Sequence, residues 1–403
     1  MSSLHILHIT PYSADAWAYG GIPRLASTLA RGLARRGHHV TVCTTDVRDA
    51  ESRLPAAAGY RNRLQAWPPR HTEDGVEMRV FPNLSNRLAY HFQAFFPLGL
   101  DRYLKAHAGT FDVAHLHACR NVPGAIAARH LVRRAVPYVV APNGTAPVIE
   151  RRQLAKRGFD ALAGRRILGR ASRVLAVSNT ERRQLCALGV AADSIALVPN
   201  PVDLDEFAYP IDRERFRRRL GLPDSPLVLF LGKLTPRKRV DDLARAMATL
   251  PRRDARLVIA GNDMGSEAMV RALVHSLGLE SRTVFTGLLR GVERLEALAA
   301  ADVVVYPSQD EIFGLVPLEA LLAGTPVIVA DDSGCGEVIR ATGGGVIVPV
   351  GSVEALAQGI RSVLDGSAQW RSAATRAALR VRTMFGEDTV CAELETVYRG
   401  LVG

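Results

Sequence analysis

Short β-branched runs alternate with amphipathic helices along all 403 residues, and no other feature constrains the fold as tightly. In the first half the runs are HILHIT (5–10), HVTVCTT (39–45), EMRVFP (77–82), DVAHLH (112–117), YVVAPN (138–143) and RVLAVS (173–178). Between them lie helical stretches such as IPRLASTLARGLARRG (22–37) and VPGAIAARHLVRR (122–134). After VPNPVDLDEF (198–207) the pattern restarts with LVLFLG (227–232), RLVIAG (256–261), TVFTG (283–287), DVVVYPS (302–308), PVIVA (326–330) and GVIVPV (345–350). Strands alternating with helices of this length predict an α/β fold with parallel, doubly wound sheets. A chain this long exceeds one ordinary core, so two Rossmann-like domains are expected, over 1–205 and 206–385. The stretch 386–403 reads as a closing helix that could return to the first domain.

Several classes fall away on composition. The five cysteines are scattered and odd in number, with no C-x-x-C pair, which argues against a disulfide framework and a zinc knuckle. MSSLHILHIT enters a strand without a signal-peptide pattern, and no run approaches eighteen uninterrupted apolar residues. A cytoplasmic protein is expected. The net charge of +11 points either to simple arginine enrichment or to an anionic partner. No zinc-finger spacing, aromatic RNA-binding motif or basic tail accompanies it, so nucleic acid is not the expected partner.

The stretch QDEIFGLVPLEALLAGTPVIVA (309–330) places Glu311 in the loop after a strand. Pro317 suits the first position of a helix PLEALLA, from whose first turn Glu319 would project. The loop between them faces a helix N-terminus, a ready anion site. One carboxylate on each side could hold the hydroxyls of a ligand whose phosphates the backbone holds. YGGIPR (19–24) likewise follows a strand and opens a helix, so Gly20 and Gly21 would let backbone approach a phosphate, although an ordinary glycine turn reads the same. In GKLTPRKRVDDLARA (232–246), Lys233 ends a strand and Lys238 begins a helix, where cations could neutralise a departing diphosphate; the bland alternative is a solvated basic turn. AHLHACRN (114–121) puts His115 and His117 on one strand face, His117 being the functional candidate and His115 the structural one. Asp203 and Asp205 form an Asp-x-Asp, but in a turn rather than at a strand end, so no metal site is expected.

Taken together these motifs resemble the family-4 glycosyltransferases, retaining enzymes of the GT-B fold in which two such domains face each other across a deep cleft. The resemblance runs through nearly the whole chain, most specifically through the Glu-x7-Glu segment, GKLTPRKRVDDLARA, RLVIAGND, LGLESRTVFTG and GCGEVI. It implies that Glu311, Phe313 and His117 contact the donor sugar, and that Gly20, Gly21, Lys233, Lys238, Gly314 and Leu315 hold its diphosphate. It further implies that Glu319 and Leu288 hold the nucleoside, and that Glu311, His117 and Lys238 form the catalytic set. Lys233 departs from the more usual Arg, keeping the charge and losing the bidentate fork. Pro201 stands where the family often has Gly.

The implied activity is a retaining, metal-independent sugar transfer from a UDP- or GDP-linked donor to a glycan or lipid-linked acceptor, in cell-envelope or exopolysaccharide synthesis. No cofactor is expected beyond the nucleotide sugar, itself a substrate. A nucleotide-sugar epimerase on the same fold and a non-catalytic sugar-binding protein are the rivals. The basic stretch 150–173 interleaves Leu154, Phe159, Leu162, Ile167 and Leu168 with Arg151, Arg152, Lys156, Arg157, Arg165 and Arg166. It reads either as a helix lying on an anionic membrane face or as a core-facing helix with a solvated basic side. The first reading would place the protein at the inner face of the plasma membrane.

Overall fold

A computed structural model describes residues 2–16, 19–54, 71–147, 153–332 and 334–403. The chain divides into two compact units, Met1–Pro201 with Glu387–Gly403, and Val202–Gly386. Both are α/β.

The first unit is built on β1 (His5–Ile9), β2 (His39–Thr45), β3 (His71–Glu73), β4 (Val76–Phe81), β5 (Val113–His117), β6 (Tyr138–Ala141), β7 (Arg173–Ala176) and β8 (Ile195–Leu197). Their order across the sheet is β3-β4-β2-β1-β5-β6-β7-β8. All neighbours are parallel except β3, which pairs antiparallel with β4. Its helices are α1 (Gly21–Arg35), α2 (Asn86–Phe92), α3 (Leu100–His107), α4 (Val122–Arg133), α5 (Gln153–Phe159), α6 (Arg165–Gly169) and α7 (Asn179–Ala187). Period-two alternation sends Ile6, Val113 and Val139 into one core layer and Leu7, Ala114 and Val140 into the other. Each layer is roofed by helices, as a buried parallel sheet requires.

The second unit begins with α8 (Arg213–Arg219) and contains β9 (Leu227–Leu231), β10 (Arg256–Ala260), β11 (Thr283–Gly287), β12 (Val303–Tyr306), β13 (Val327–Ala330) and β14 (Gly345–Val348). Their order is β11-β10-β9-β12-β13-β14, all parallel. The remaining helices are α9 (Val240–Thr249), α10 (Glu267–Ser276), α11 (Gly291–Ala300), α12 (Leu315–Leu322), α13 (Gly334–Thr342), α14 (Val353–Asp365) and α15 (Ser367–Phe385), followed by α16 (Glu387–Val402). Both sheets change direction once: strand order reverses between β1 and β5 in one unit and between β9 and β12 in the other.

The last helix belongs to the first unit. Val390, Cys391, Leu394 and Tyr398 of α16 are fully buried in the core layer with Leu25, Leu29 and Leu33 of α1. The two helices approach closely at Gly32, where a Cβ would stand 2.5 Å from the Cys391 Sγ. Ion pairs flank the contact, Arg35 with Glu387 and Arg36 with Glu395 (2.8 Å), and within α16 Arg399 also holds Glu395 (2.6 Å).

The basic stretch does not form the single stripe expected of it. One wide, π-type turn over Asp160–Gly164 separates α5 from α6 and rotates the later residues out of phase. Ile167 is therefore buried and Phe159 and Leu168 pack against the core, whereas Leu154 and Leu162 are 82% and 78% exposed. Arg151 and Arg152 lie outside the described residues. Among the described residues no helix is long and apolar enough to cross a membrane.

Candidate functional site

Ligands of open parallel sheets sit beyond the carboxyl ends of the strands, where strand order reverses. In the second unit that point lies between β9 and β12. The loop after β9 carries Lys233 and, on a single 3-10 turn over Pro236–Lys238, Lys238. The loop after β12 carries Glu311. Sequence separates these residues by more than seventy positions; the sheet makes them neighbours.

Lys238 Nζ donates to Glu311 Oε2 and to the Tyr306 hydroxyl, and lies 4.4 Å from the centre of the Tyr306 ring. Tyr306 Oη and Ser308 Oγ each donate to the same Glu311 oxygen at 3.1 Å. Burial pushes the Glu311 carboxyl up, but the Lys238 ammonium and these donors outweigh it and hold the group below its ordinary value. Glu311 is therefore a charged acceptor kept in place by three donors.

Backbone bonds fix the surrounding loop. Gln309 N–H donates to the Arg237 carbonyl (2.8 Å), Asp310 N–H to Asp332 Oδ2 (2.7 Å) and Cys335 N–H to the Glu311 carbonyl (3.0 Å). Gly314 caps α12 with φ 86°, and a Cβ there would stand 2.6 Å from the Cys335 Sγ. Only glycine fits both demands. Phe313 is buried, edge-on to Phe385 with ring centres 5.5 Å apart, and Leu315 opens the helix. The first N–H groups of α12 have no carbonyl one turn back within the helix, which suits this helix start to an anion. Leu288, half-buried, follows β11.

Glu319 differs from its expected setting. The helix starts at Leu315, two residues before Pro317, which is tolerated because third-position N–H groups lack an intrahelical acceptor anyway. Glu319 thus falls in the second turn and is 4% exposed, not projecting from the first. Its carboxylate pairs with Arg294 of α11, whose other terminal nitrogen holds Glu206 at 2.5 Å. Arg294 is itself 3% exposed. Sequence reasoning missed Arg294, Tyr306 and Ser308. Nothing local singled out the first, since GVERLEALAA also carries Glu293 and Glu296 and reads as an ordinary amphipathic helix.

In the first unit the reversal point lies between β1 and β5. Gly20, with φ 93° and ψ −144°, is the N-cap of α1, and Gly21 is its first residue. His117 ends β5. It stacks on His115 with ring centres 4.2 Å apart and interplanar angle 10°, and its Nε2 shares a hydrogen bond with His8 Nδ1 at 3.1 Å. The Tyr398 hydroxyl of α16 meets His115 Nδ1 at 2.6 Å. All three imidazoles are buried, and desolvation drives His8 down to about 3 and His115 and His117 well below the ordinary histidine value. They are neutral at physiological pH.

Each ring offers a nitrogen within 4.8 Å of the other two, the only such three-residue group among the described residues. The His8–His117 bond limits its use as a metal site. A neutral pair shares one bridging proton, so one of the two outward nitrogens, His8 Nε2 or His117 Nδ1, must itself carry a proton. Three lone pairs are not available while that bond persists. The Asp203 carboxylate accepts from the Asp205 N–H (3.2 Å), a local turn.

Comparison with known proteins places this geometry in context. Residues 19–206 match the family described as Glycosyltransferase Family 4, and residues 212–380 match Glycosyl transferases group 1. The chain is 33% identical over 401 residues to a D-inositol 3-phosphate glycosyltransferase of Acidothermus cellulolyticus, covering 94% of this chain and 85% of that protein. Among solved structures, the sucrose-phosphate synthase of Thermosynechococcus elongatus has a TM-score of 0.75 at 23% identity, covering 99% of both chains. Anabaena HepE in complex with UDP-glucose also has a TM-score of 0.75, at 20% identity, covering 98% of this chain and 100% of that one. These structural neighbours share the GT-B fold.

Proposed function

This chain belongs to the group 1 glycosyltransferases of family 4, and from that premise we propose that it moves a sugar from a UDP- or GDP-linked donor to a hydroxyl of a glycan or lipid-linked acceptor, with retention of configuration and without a metal. The observation that carries the reading is the meeting of Lys238 and Glu311 at the reversal point of the second sheet, beside Gly314 and the start of α12. A relative named for a phosphorylated inositol and a neighbour crystallised with UDP-glucose support a hydroxyl acceptor and a nucleotide donor.

In this reading the donor diphosphate takes Lys238 and Lys233 as counter-ions, and Gly20 and Gly21 lend it backbone N–H groups. Lys238 is thereby drawn from Glu311, whose freed oxygen accepts the hydroxyls of the donor sugar. Phe313 packs under that sugar and His117 supplies a neutral ring nitrogen to it. Glu319 and Leu288 hold the nucleoside. As the bond between the anomeric carbon and the diphosphate oxygen breaks, its electron pair leaves with the diphosphate. Fixed cations and helix N–H groups stabilise that charge where it develops. The acceptor oxygen bonds to the same face of the carbon, and its proton passes to a leaving-phosphate oxygen. The reading extends to a cytoplasmic setting in cell-envelope or exopolysaccharide synthesis, supported by five cysteines all present as free thiols.

A donor panel assayed for nucleotide release, with glycans or extracted envelope lipids as acceptors and with a chelator added, tests the proposal. Acceptor-dependent release, unchanged by the chelator, and an α-linked product from an α-linked donor are expected. Donor conversion without nucleotide release would indicate an epimerase, and binding without turnover a sugar-binding protein. Inhibition by the chelator, reversed by Mg²⁺ or Mn²⁺, would overturn the metal-free mechanism.

A further inference from the structure

Beyond the carboxyl end of β4 the first unit turns an apolar surface outward. Leu84, Leu88, Phe92, Phe96 and Leu98 are 59%, 40%, 60%, 39% and 43% exposed. Single exposed apolar side chains are ordinary; five within fifteen residues mark an interaction surface.

Local geometry makes them one surface. Leu84 N–H donates to the Phe96 carbonyl (3.0 Å) and Leu98 N–H to that of Pro82 (2.8 Å), with Asn83 opposite Pro97 in an antiparallel bridge. Alternation buries Asn83 and Pro97 and sets Leu84, Phe96 and Leu98 on the outer face. Leu88 and Phe92 stand one turn apart on α2, which Ser85 caps by accepting from the Leu88 N–H. Beneath lies an aromatic floor: Tyr12 meets Phe95 at 5.1 Å between ring centres, and Tyr19 meets Tyr90 at 5.9 Å. Packing already satisfied below gives these residues no reason of stability to face water.

Charge decides what covers them. From residue 82 to 100 the sequence contains no Asp or Glu, whereas Arg87 and His91 are exposed between the apolar residues, on a chain of net charge +11. An apolar surface whose own segment carries Arg87 and no acid, on a basic chain, complements the headgroup boundary of an anionic bilayer. We propose that the 84–98 surface inserts at such a boundary. It follows β4 as the Gly20 loop follows β1 and the His117 loop follows β5, so a bilayer held here meets the first unit at the carboxyl end of its sheet. Arg157, Arg165 and Arg166, exposed beside Leu154 and Leu162, add an electrostatic component.

Co-sedimentation of the full chain with phosphatidylcholine vesicles, with and without added phosphatidylglycerol, tests the inference without any substrate and so separately from the transfer reaction. The protein should pellet with the anionic vesicles and keep a bound fraction at high salt. Leu88→Ser with Phe92→Ser should lower partitioning about tenfold or more, since two buried side chains are lost from the contact. Changing Lys156, Arg157, Arg165 and Arg166 to Gln should remove only the salt-sensitive part. If the first pair lowers the melting temperature, Leu84→Ser with Phe96→Ser gives the same readout from the ladder. Wild-type protein left in the supernatant, or serine variants that bind as well as wild type, would overturn the proposal. So would a wild-type dimer in sedimentation that the serine variants dissociate, because the cover would then be a second copy of the chain.

Discussion

Lys238 holds Glu311 ionised in a buried setting, and the same ammonium is the natural counter-ion for a departing diphosphate. The two roles separate experimentally. Lys238→Ala should cost about 10²–10³-fold in turnover if the cation stabilises the leaving group. It should also make stability fall at neutral pH, since Glu311 is left buried with only hydroxyl donors. A carboxyl held below its ordinary value stabilises the fold above that value and loses the effect as pH falls through the depressed one. Melting curves of wild type and variant should therefore differ most above the ordinary carboxylate range and converge as pH falls below it, through the depressed value of Glu311; a constant gap would remove the ion pair from the account. Glu319 offers a second separation. Arg294 would remain paired with Glu206 in Glu319→Gln, so a loss of nucleoside-diphosphate affinity of roughly 1.5–3 kcal/mol by calorimetry would place the carboxylate at the ribose. Lower stability with unchanged affinity would reduce Glu319 to a counter-ion for Arg294.

At the scale of elements, Glu181 shows how a helix end can carry a pH response. It sits three residues after the Ser178 cap of α7, fully buried, accepting from the Gly144 N–H (2.7 Å) in the loop after β6 and from the Val177 N–H (3.0 Å). Burial nevertheless raises its carboxyl to about 7. A raised carboxyl favours folding below its unfolded value, and the advantage disappears as pH rises through about 7. Chemical denaturation from pH 5 to 8 should show wild-type stability declining by a component, on the order of 3 kcal/mol, that Glu181→Gln lacks. Parallel curves for the two proteins would exclude it. None of this was visible in SNTERRQL, because burial comes from elements distant in sequence. The strands themselves were legible: β2 and β11 match their expected bounds, and most of the others lie within two residues of theirs, since β-branched runs bounded by glycine and proline encode them locally. The three-residue edge strands β3 and β8 escaped, being too short to show a period. Glu311 was readable as a ligand-type residue in a loop and Lys238 as a cation at a helix start, whereas Gly314 was singled out by the family resemblance alone. Their meeting, and the pairing of Glu319 with Arg294, depend on strand order and helix phase, which no local pattern specifies.

On the scale of the whole molecule, the chain leaves its first unit at Pro201 and re-enters it at Glu387. A fragment ending at residue 201 keeps every strand of the first sheet but lacks Val390, Cys391, Leu394 and Tyr398, and so exposes the face of α1 they cover. Losing several buried side chains at about 2–5 kcal/mol each exceeds the margin of an ordinary domain. Fragment 1–201 should show no cooperative melting transition by circular dichroism until a peptide of 387–403 is added, whereas 202–386 should melt cooperatively alone. A sharp transition from 1–201 by itself would make α16 dispensable.

That return has a cost in time. A ribosome adding about 5–20 residues per second makes α16 some 10–40 s after β8. Throughout that interval the nascent first sheet has α1 but not α16 on one side, so the apolar surface that Val390, Cys391, Leu394 and Tyr398 will cover is open to chaperones and to other nascent chains. A message broken or stalled within the second unit then yields a polypeptide whose finished-looking N-terminal half cannot close. Proteases that sample exposed apolar surface would remove it, so the final helix also certifies that translation has passed through the nucleotide-site loops of the second unit before the first becomes durable.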